Sequence, residues 1–81
     1  MMKERVKAEL IVTKIGTIFG SEEVSYYFED TNGYKYVWRT RSEKAWEELK
    51  EENTYMCTFN RYHFDDTDNK DMLYEIDNVR F

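Results

Sequence analysis

Apolar and polar residues alternate along five short stretches of the chain, which is the period-2 pattern of half-buried β-strands. The first stretch runs from Val6 to Val12, the second from Val24 to Phe28 and the third from Tyr34 to Thr40. After a break, the alternation returns from Tyr55 to Phe64 and again from Met72 to Phe81. The pattern therefore predicts five strands.

Two of the predicted strands lose their phase part of the way along. The alternation of the first strand breaks around Gly16, which predicts a bend or a bulge at that point. In the last strand, Val79 and Phe81 are one residue out of phase with Ile76 and the apolar positions before it. A bulge near Asn78 would turn both side chains back toward the core.

Turn signals separate the predicted strands. Gly20-Ser21 follows the first strand and provides the first turn. The segment Asp30 to Gly33 reads Asp-Thr-Asn-Gly and lies between two alternating, aromatic-rich stretches. An Asn-Gly pair supplies the positive-φ residues that a tight hairpin needs, so the second and third strands are predicted to form a hairpin.

Helical spacing replaces the alternation between the third and fourth strands. Ser42 or Thr40 can cap the start of a helix, and Asn53 is a suitable C-terminal stop. The helix is short, about three turns at most. Its narrow apolar stripe has the size to plug one end of a small barrel and consists of Ala45, Trp46 and Leu49.

The order of elements is three strands, one helix and two further strands. This is the order of the five-stranded Greek-key barrel of the oligonucleotide/oligosaccharide-binding (OB) type. We therefore expect a mostly β fold, a five-stranded Greek-key OB-like barrel with one short helix between strands 3 and 4. Residues 1–81 form a single domain, because so short a chain cannot fill two cores. The alternative is an SH3-like or open half-barrel with an inserted helix.

The segment Phe28 to Thr40 resembles small OB barrels of bacteriophage and mobile-element proteins. In those barrels a strand ending in Phe-x-Asp meets an Asn-Gly or Asp-Gly turn, and an aromatic strand containing Val-Trp-x-Thr follows. The likeness extends over residues 23–81. It implies single-stranded DNA binding, or attachment to replication proteins, as the function.

Charge is segregated along the chain, whose formal net charge is −5. Residues 3–14 carry four basic and two acidic side chains, and residues 35–44 carry four basic and one acidic. Residues 21–33 carry four acids and no base, and residues 65–81 carry six acids against two bases. An anionic ligand is therefore expected on the two basic segments.

The second and third strands combine aromatic with basic side chains, a combination that stacks unpaired bases and contacts phosphates. In a barrel strand, either Tyr34, Tyr36 and Trp38 or the interleaved Lys35, Val37 and Arg39 must face the core. Burying the charged set costs more, so the aromatic set is expected to be mainly core. The candidate nucleic-acid-binding residues are Lys7, Lys14, Tyr27, Tyr34, Lys35, Tyr36, Trp38, Arg39 and Arg41.

The acidic remainder of the chain supports a different class of function. A phage-type interaction module or inhibitor could use an acidic surface to bind a basic host protein or to imitate nucleic acid. An edge left by an open barrel would also permit strand pairing between copies, which leaves a homodimer open. The acids of this surface are Glu22, Glu23, Glu29, Asp30 and those of residues 65–77.

Nothing in the chain indicates an enzyme, a metal or a cofactor. His63 is the sole histidine and Cys57 the sole cysteine, and Cys57 is expected to be a small buried side chain. Asp66, Asp68 and Asp71 lack the central glycine and the final glutamate of a calcium loop. We expect a binding protein without catalytic residues.

The apolar content and the cysteine count of the chain bear on where in the cell the protein is found. No stretch approaches 18 consecutive apolar residues, so no membrane association is expected. One cysteine cannot form an internal disulfide, which fits a reducing cytoplasm. A cytoplasmic protein is the expectation.

Overall fold

A computed structural model describes residues 2–63 and 69–81. Within this part of the chain the fold is mostly β with one short helix, as predicted. Residues 64–68, which include Asp66 and Asp68 of the segment compared with a calcium loop, lie outside the described residues. The elements are β1 Met2–Thr17, β2 Val24–Asp30, β3 Lys35–Thr40, α1 Glu43–Glu48, β4 Thr54–His63 and β5 Leu73–Arg80.

The five strands form one sheet that closes on itself in the order β1-β2-β3-β5-β4. β1 pairs twice, with β2 from Leu10 onward and with β4 from Met2 to Ile11. β3 and β5 run parallel, and all other neighbouring strands run antiparallel. Because the ring closes, the alternative of an open half-barrel is wrong.

The irregularity of β1 lies earlier than the sequence indicated. The register with β2 shifts between Val12 and Lys14, so the extra residue is Thr13, whereas Gly16 pairs in register with Ser25. From Val6 to Val12 the even-numbered side chains face the core, and after the bulge Ile15 does so. The prediction of a bulge around Gly16 was wrong because apolar residues occupy both phases of this stretch.

The irregularity of β5 lies where it was predicted. Asn78 has a positive φ of 50°, and the register between β4 and β5 shifts opposite this point, between Thr58 and Asn60. The bulge allows Val79 and Phe81 to pack against the core cluster that Ile76 belongs to. The predicted bulge near Asn78 is confirmed.

The predicted hairpin between β2 and β3 is confirmed, but only one residue of its Asn-Gly pair has a positive φ. Gly33 has a φ of 90°, whereas Asn32 does not enter the positive-φ region. The Gly33 amide donates to the Asp30 carbonyl at 3.1 Å, and Asp30 Oδ1 accepts the amides of Asn32 and Tyr34 at 2.9 Å each. Asp30 therefore holds the turn through its side chain as well as its backbone.

Helix α1 is short, within the three turns predicted, and packs one face against the core. Ser42 caps it, accepting the Ala45 amide at 3.1 Å, and Leu49 rather than Asn53 ends it. Ala45 and Leu49 are buried, but Trp46 is 55% exposed, so Trp46 is not part of the plug as predicted. The reason is geometric: residues four apart share a helix face, and the next residue turns about 100° away.

Candidate nucleic-acid interface

The two faces of β3 separate the aromatic candidates from the basic ones. Tyr36 and Trp38 point into the core and are 1% and 8% exposed, while Lys35 and Arg39 are exposed on the outside. Buried rings have no free face to offer a base, so Tyr36 and Trp38 do not belong to an interface. The expectation that the aromatic set of β3 is mainly core is confirmed for these two residues.

Tyr27 carries the aromatic surface on the outer side of the sheet. It lies opposite Lys14 of β1 on one side and Val37 of β3 on the other. The Lys14 ammonium lies 5.6 Å from the centre of the Tyr27 ring, within the range of a cation–π contact. Tyr27 is half-buried, so part of its ring remains accessible beside a positive charge.

The outer cations of β3 have partners that reduce their charge. Arg39 Nη1 lies 2.6 Å from Glu75 Oε1, and both side chains are exposed. Lys35 Nζ donates to the Lys70 carbonyl at 3.3 Å, and Lys35 pairs in register with Glu29. A polyanion would have to compete with Glu75 for Arg39.

Arg41 continues the basic row beyond the end of β3 and enters a cleft of about 570 Å³. The cleft lies between the β1–β2 connection and α1, and the exposed ring of Trp46 forms part of its wall. Three carboxylates face the same space, so it is not a purely cationic site. The lining residues are Thr17, Ser21, Glu22, Val24, Arg41, Ser42, Glu43, Trp46 and Glu47.

Two of the predicted site residues lie apart from this face. Lys7 belongs to the half of β1 that pairs with β4, where it lies opposite Thr58. Tyr34 is half-buried and its ring centre lies 6.4 Å from that of Tyr74, near the inside of the sheet. The structure thus brings together Lys14, Tyr27, Lys35, Arg39 and Arg41 but neither Lys7 nor Tyr34.

Arg61 is a buried residue that the sequence analysis did not single out. It is 5% exposed, and its guanidinium carbon lies 4.3 Å from the centre of the Tyr74 ring and 5.6 Å from that of Tyr34. Its Nε lies 3.5 Å from Glu4 Oε1. The signal was present, because position 61 continues the inward alternation of Cys57 and Phe59.

The hydroxyl of Tyr36 belongs to the same group of contacts. It donates to Asp30 Oδ2 at 2.9 Å. Burial, and after it the hydrogen bond and the charge of Asp30, raise the pKa of Tyr36 well above its ordinary value, while Arg61 acts in the opposite direction. The phenol therefore stays protonated as a donor that links the hairpin to the core.

Burial also raises the pKa values of two further groups in the core, the Cys57 thiol and the Tyr26 hydroxyl. Burial raises the pKa of the Cys57 thiol to about 11, so at neutral pH it is not a thiolate nucleophile. The Tyr26 hydroxyl is buried without a hydrogen-bond partner among the described residues. Burial alone raises the pKa of Tyr26.

The described residues contain no group of three or more histidine, cysteine, aspartate or glutamate side chains placed to hold a metal ion. The side chain of His63 lies outside the described part of the structure. The helix present in residues 2–63 and 69–81 is not one that could span a membrane.

Comparisons with known proteins leave the geometry as the main source of information. No protein-family model matches the chain, and neither the curated proteins nor the solved structures contain a significant match.

Proposed function

We propose that this chain is an OB-type Greek-key barrel that binds single-stranded nucleic acid on the outer face of β1, β2 and β3. Three features of the ring support the fold assignment. The strand order closes from β4 back to β1, β3 and β5 are parallel, and the helix lies between β3 and β4. In barrels of this type the face of strands 2 and 3 is the usual binding surface for oligonucleotides.

The observation that carries the proposal is a row of three cations along β3 and just beyond it, interrupted by the buried Val37. Lys35 and Arg39 are exposed on the outer side, and Arg41 follows two residues later. At ~3.3 Å per residue the row is about 20 Å long. Its neighbour on the same face is Tyr27 with Lys14 above its ring. The cations would follow the phosphates, and the aromatic rings would stack on bases.

Trp46 takes the role that the sequence suggested for Trp38. Trp46 is exposed beside Arg41 in the cleft at the end of β3, whereas Trp38 is buried. A base that leaves the β3 row at Arg41 would meet the indole of Trp46. Stacking of this kind contributes about 1–3 kcal/mol per base.

Fluorescence titration with a short single-stranded oligonucleotide at low salt tests the proposal. We expect quenching of the exposed tryptophan, because its ring would stack on a base, and we expect loss of that quenching in Trp46→Phe. Lys35→Glu/Arg41→Glu should weaken binding and lower the slope of log affinity against log salt by about 1.4, since two phosphate contacts are removed.

The matched control is Lys3→Glu/Lys7→Glu, which makes the same change in net charge on the half of β1 that pairs with β4, apart from the β3 row. It should leave the salt slope unchanged. Absence of quenching at low salt, or an equal loss of affinity in the control, would contradict binding on this face.

One surface favours the second function, an acidic interaction module or inhibitor that binds a basic host protein or imitates nucleic acid. Phe19 is fully exposed and Ile18 is 74% exposed in the connection between β1 and β2. Glu22 and Glu23 follow in the same connection, and Glu22 lines the cleft. An apolar tip bordered by carboxylates fits a basic protein better than a phosphate backbone.

Pull-down from a host lysate with the wild-type chain and with Phe19→Ser tests this second function. A basic protein that is retained in stoichiometric amounts by the wild type, lost with Phe19→Ser and released by salt would support it. Equal retention by both chains, or no retained basic protein, would count against it.

A further inference from the structure

The N-terminal half of β1 has an open backbone edge. On one side β1 pairs with β4 from Met2 to Ile11, but on the other side β2 begins to pair only at Leu10. From Met2 to Glu9 that second side has no backbone partner among residues 2–63 and 69–81. An edge of this length is about 26 Å long, enough to receive another strand.

The outward side chains along this edge are basic. Val6 and Ala8 pack against the core, so the alternating Lys3, Arg5 and Lys7 lie on the outer side, where all three are exposed. This half of β1 therefore carries cations at three successive outward positions, followed by Glu9 at the fourth.

Of these three cations, Arg5 has hydrogen-bond partners, whereas Lys3 and Lys7 have none in the described part of the structure. Arg5 reaches across β4, where its Nη1 donates to Asn60 Oδ1 at 3.2 Å and to the Asn78 carbonyl at 2.9 Å. Neither a hydrogen bond nor an ion pair to a described residue engages the ammonium groups of Lys3 and Lys7. These two charges, four residues apart, remain available to an incoming strand.

The charge pattern favours an acidic strand over a second copy of this chain. In an antiparallel pair of two β1 edges, a register centred on Val6 places Arg5 opposite Lys7 and Lys3 opposite Glu9. A register centred on Arg5 places Lys3 opposite Lys7, and one centred on Lys7 places that lysine opposite itself and Arg5 opposite Glu9. Each of these registers therefore contains like charges that an acidic strand would not bring. Like charges directly opposite each other destabilise a strand pair, and lysine on an edge commonly serves to prevent it.

The same pattern fits an acidic strand. We infer that the Met2–Glu9 edge of β1 is a docking surface for an extended acidic segment of another protein, which adds to the sheet through its backbone and places carboxylates beside Lys3 and Lys7. Strand addition of this kind takes affinity from backbone hydrogen bonds and specificity from alternate side chains. The inference does not depend on nucleic-acid binding, which uses the opposite half of β1.

Two extended peptides with the same composition test the inference. One carries glutamates four residues apart, in phase with Lys3 and Lys7, and the other carries them three residues apart. Because side chains of a strand alternate between faces, only the first can place both glutamates beside the lysines. We expect the in-phase peptide to bind more tightly and to slow hydrogen exchange of the amides between Met2 and Glu9.

Charge reversal then tests the partner's chemistry. Lys3→Glu/Lys7→Glu should weaken the in-phase peptide by about five- to twentyfold, because two attractive cross-strand pairs become repulsive. Lys44→Glu/Lys50→Glu serves as the matched control and should leave that affinity unchanged. The Lys3→Glu/Lys7→Glu variant should keep the wild-type salt slope of oligonucleotide affinity, which separates this surface from the β3 row.

Three results would overturn the inference. They are equal affinity for the two peptides, peptide binding that survives the charge reversal, and protection of the Met2–Glu9 amides that rises with protein concentration in the absence of peptide. The last result would assign the edge to a second copy of the chain.

Discussion

The two ends of the closed sheet each bury a tyrosine, and they treat its hydroxyl differently. At the hairpin end, Tyr36 donates to Asp30 at 2.9 Å, and Arg61 lies against Tyr74 nearby. At the helix end, the ring centre of Tyr26 lies 5.9 Å from that of Trp38. The Tyr26 hydroxyl has no hydrogen-bond partner among the described residues. One end buries a charged side chain within a polar network, whereas the other packs mainly apolar side chains in its interior.

The difference shows two ways to close a small sheet. The hairpin end brings a charged guanidinium inside, which is costly unless rings and carboxylates surround it. The helix end uses Ala45 and Leu49 as an apolar plug and buries one hydroxyl for which the described residues offer no hydrogen-bond partner. The network specifies geometry, whereas the plug supplies buried apolar area.

The apolar end should respond most strongly to truncation. Leu49→Ala removes a side chain that is 1% exposed and leaves a cavity, so the free energy of unfolding should fall by about 3 kcal/mol. Trp46→Ala, three residues away on the exposed face, should change it by less than about 0.5 kcal/mol. Urea unfolding measures both, and a larger loss for Trp46→Ala would restore the predicted role of Trp46 as part of the plug.

The polar end should depend on Arg61 nearly as much. Arg61→Ala removes the cation from the Tyr74 and Tyr34 rings and from Glu4, and we expect a loss of about 2 kcal/mol in the free energy of unfolding. Arg80→Ala removes an exposed arginine of β5 and should change it by about 0.5 kcal/mol or less. If the two variants lose the same amount, Arg61 is not what holds this end.

The thiol of Cys57, buried in the core between the two ends, makes the free energy of unfolding depend on pH. The unfolded thiol loses its proton near pH 9.0, and the folded one keeps it until about pH 11. The folded state therefore binds more protons in this window, so stability is complete below pH 9 and falls by about 2 kcal/mol toward pH 11. Urea unfolding across this range measures the fall. Cys57→Ala should remove that part of it, and an unchanged slope would assign the loss to the tyrosines.

The sharpest test of the comparison removes one oxygen from each end. Tyr36→Phe leaves Asp30 without its donor and should cost about 1 kcal/mol in the free energy of unfolding. Tyr26→Phe removes a buried hydroxyl without a described partner and should be neutral or slightly stabilising. Urea unfolding of both variants at neutral pH decides, and equal losses would show that Tyr26 has a bonded partner.

Features set by neighbouring residues could be predicted from the sequence. The Asp30–Gly33 hairpin depends on one glycine and one aspartate within five residues, and the Asn78 bulge on a phase change that the sequence displays. The inward direction of Tyr36 and Trp38 followed from the cost of burying Lys35 and Arg39. Each of these predictions needed only local geometry and a solvation argument.

Features set by distant pairing could not be predicted. Lys7 and Lys14 lie in one basic segment, but they separate because the two halves of β1 pair with different strands. The contacts of Arg61 join β4 to Glu4 at the start of the chain and to Tyr74 in β5. No spacing within the sequence encodes these meetings, since they arise only when the ring closes.

The double pairing of β1 also has a consequence for the order of folding. Its pairs with β2 are close in sequence, from Thr17 with Val24 outward, so the β1–β2–β3 meander can form early. Its pairs with β4 join residues as far apart as Met2 and His63. A long loop must therefore close before these pairs can stabilise the fold. Domains dominated by such distant pairs fold in about milliseconds to seconds. We therefore expect the pairing of the N-terminal half of β1 with β4 to form late, and until it forms the facing edges of both strands keep unpaired backbone groups.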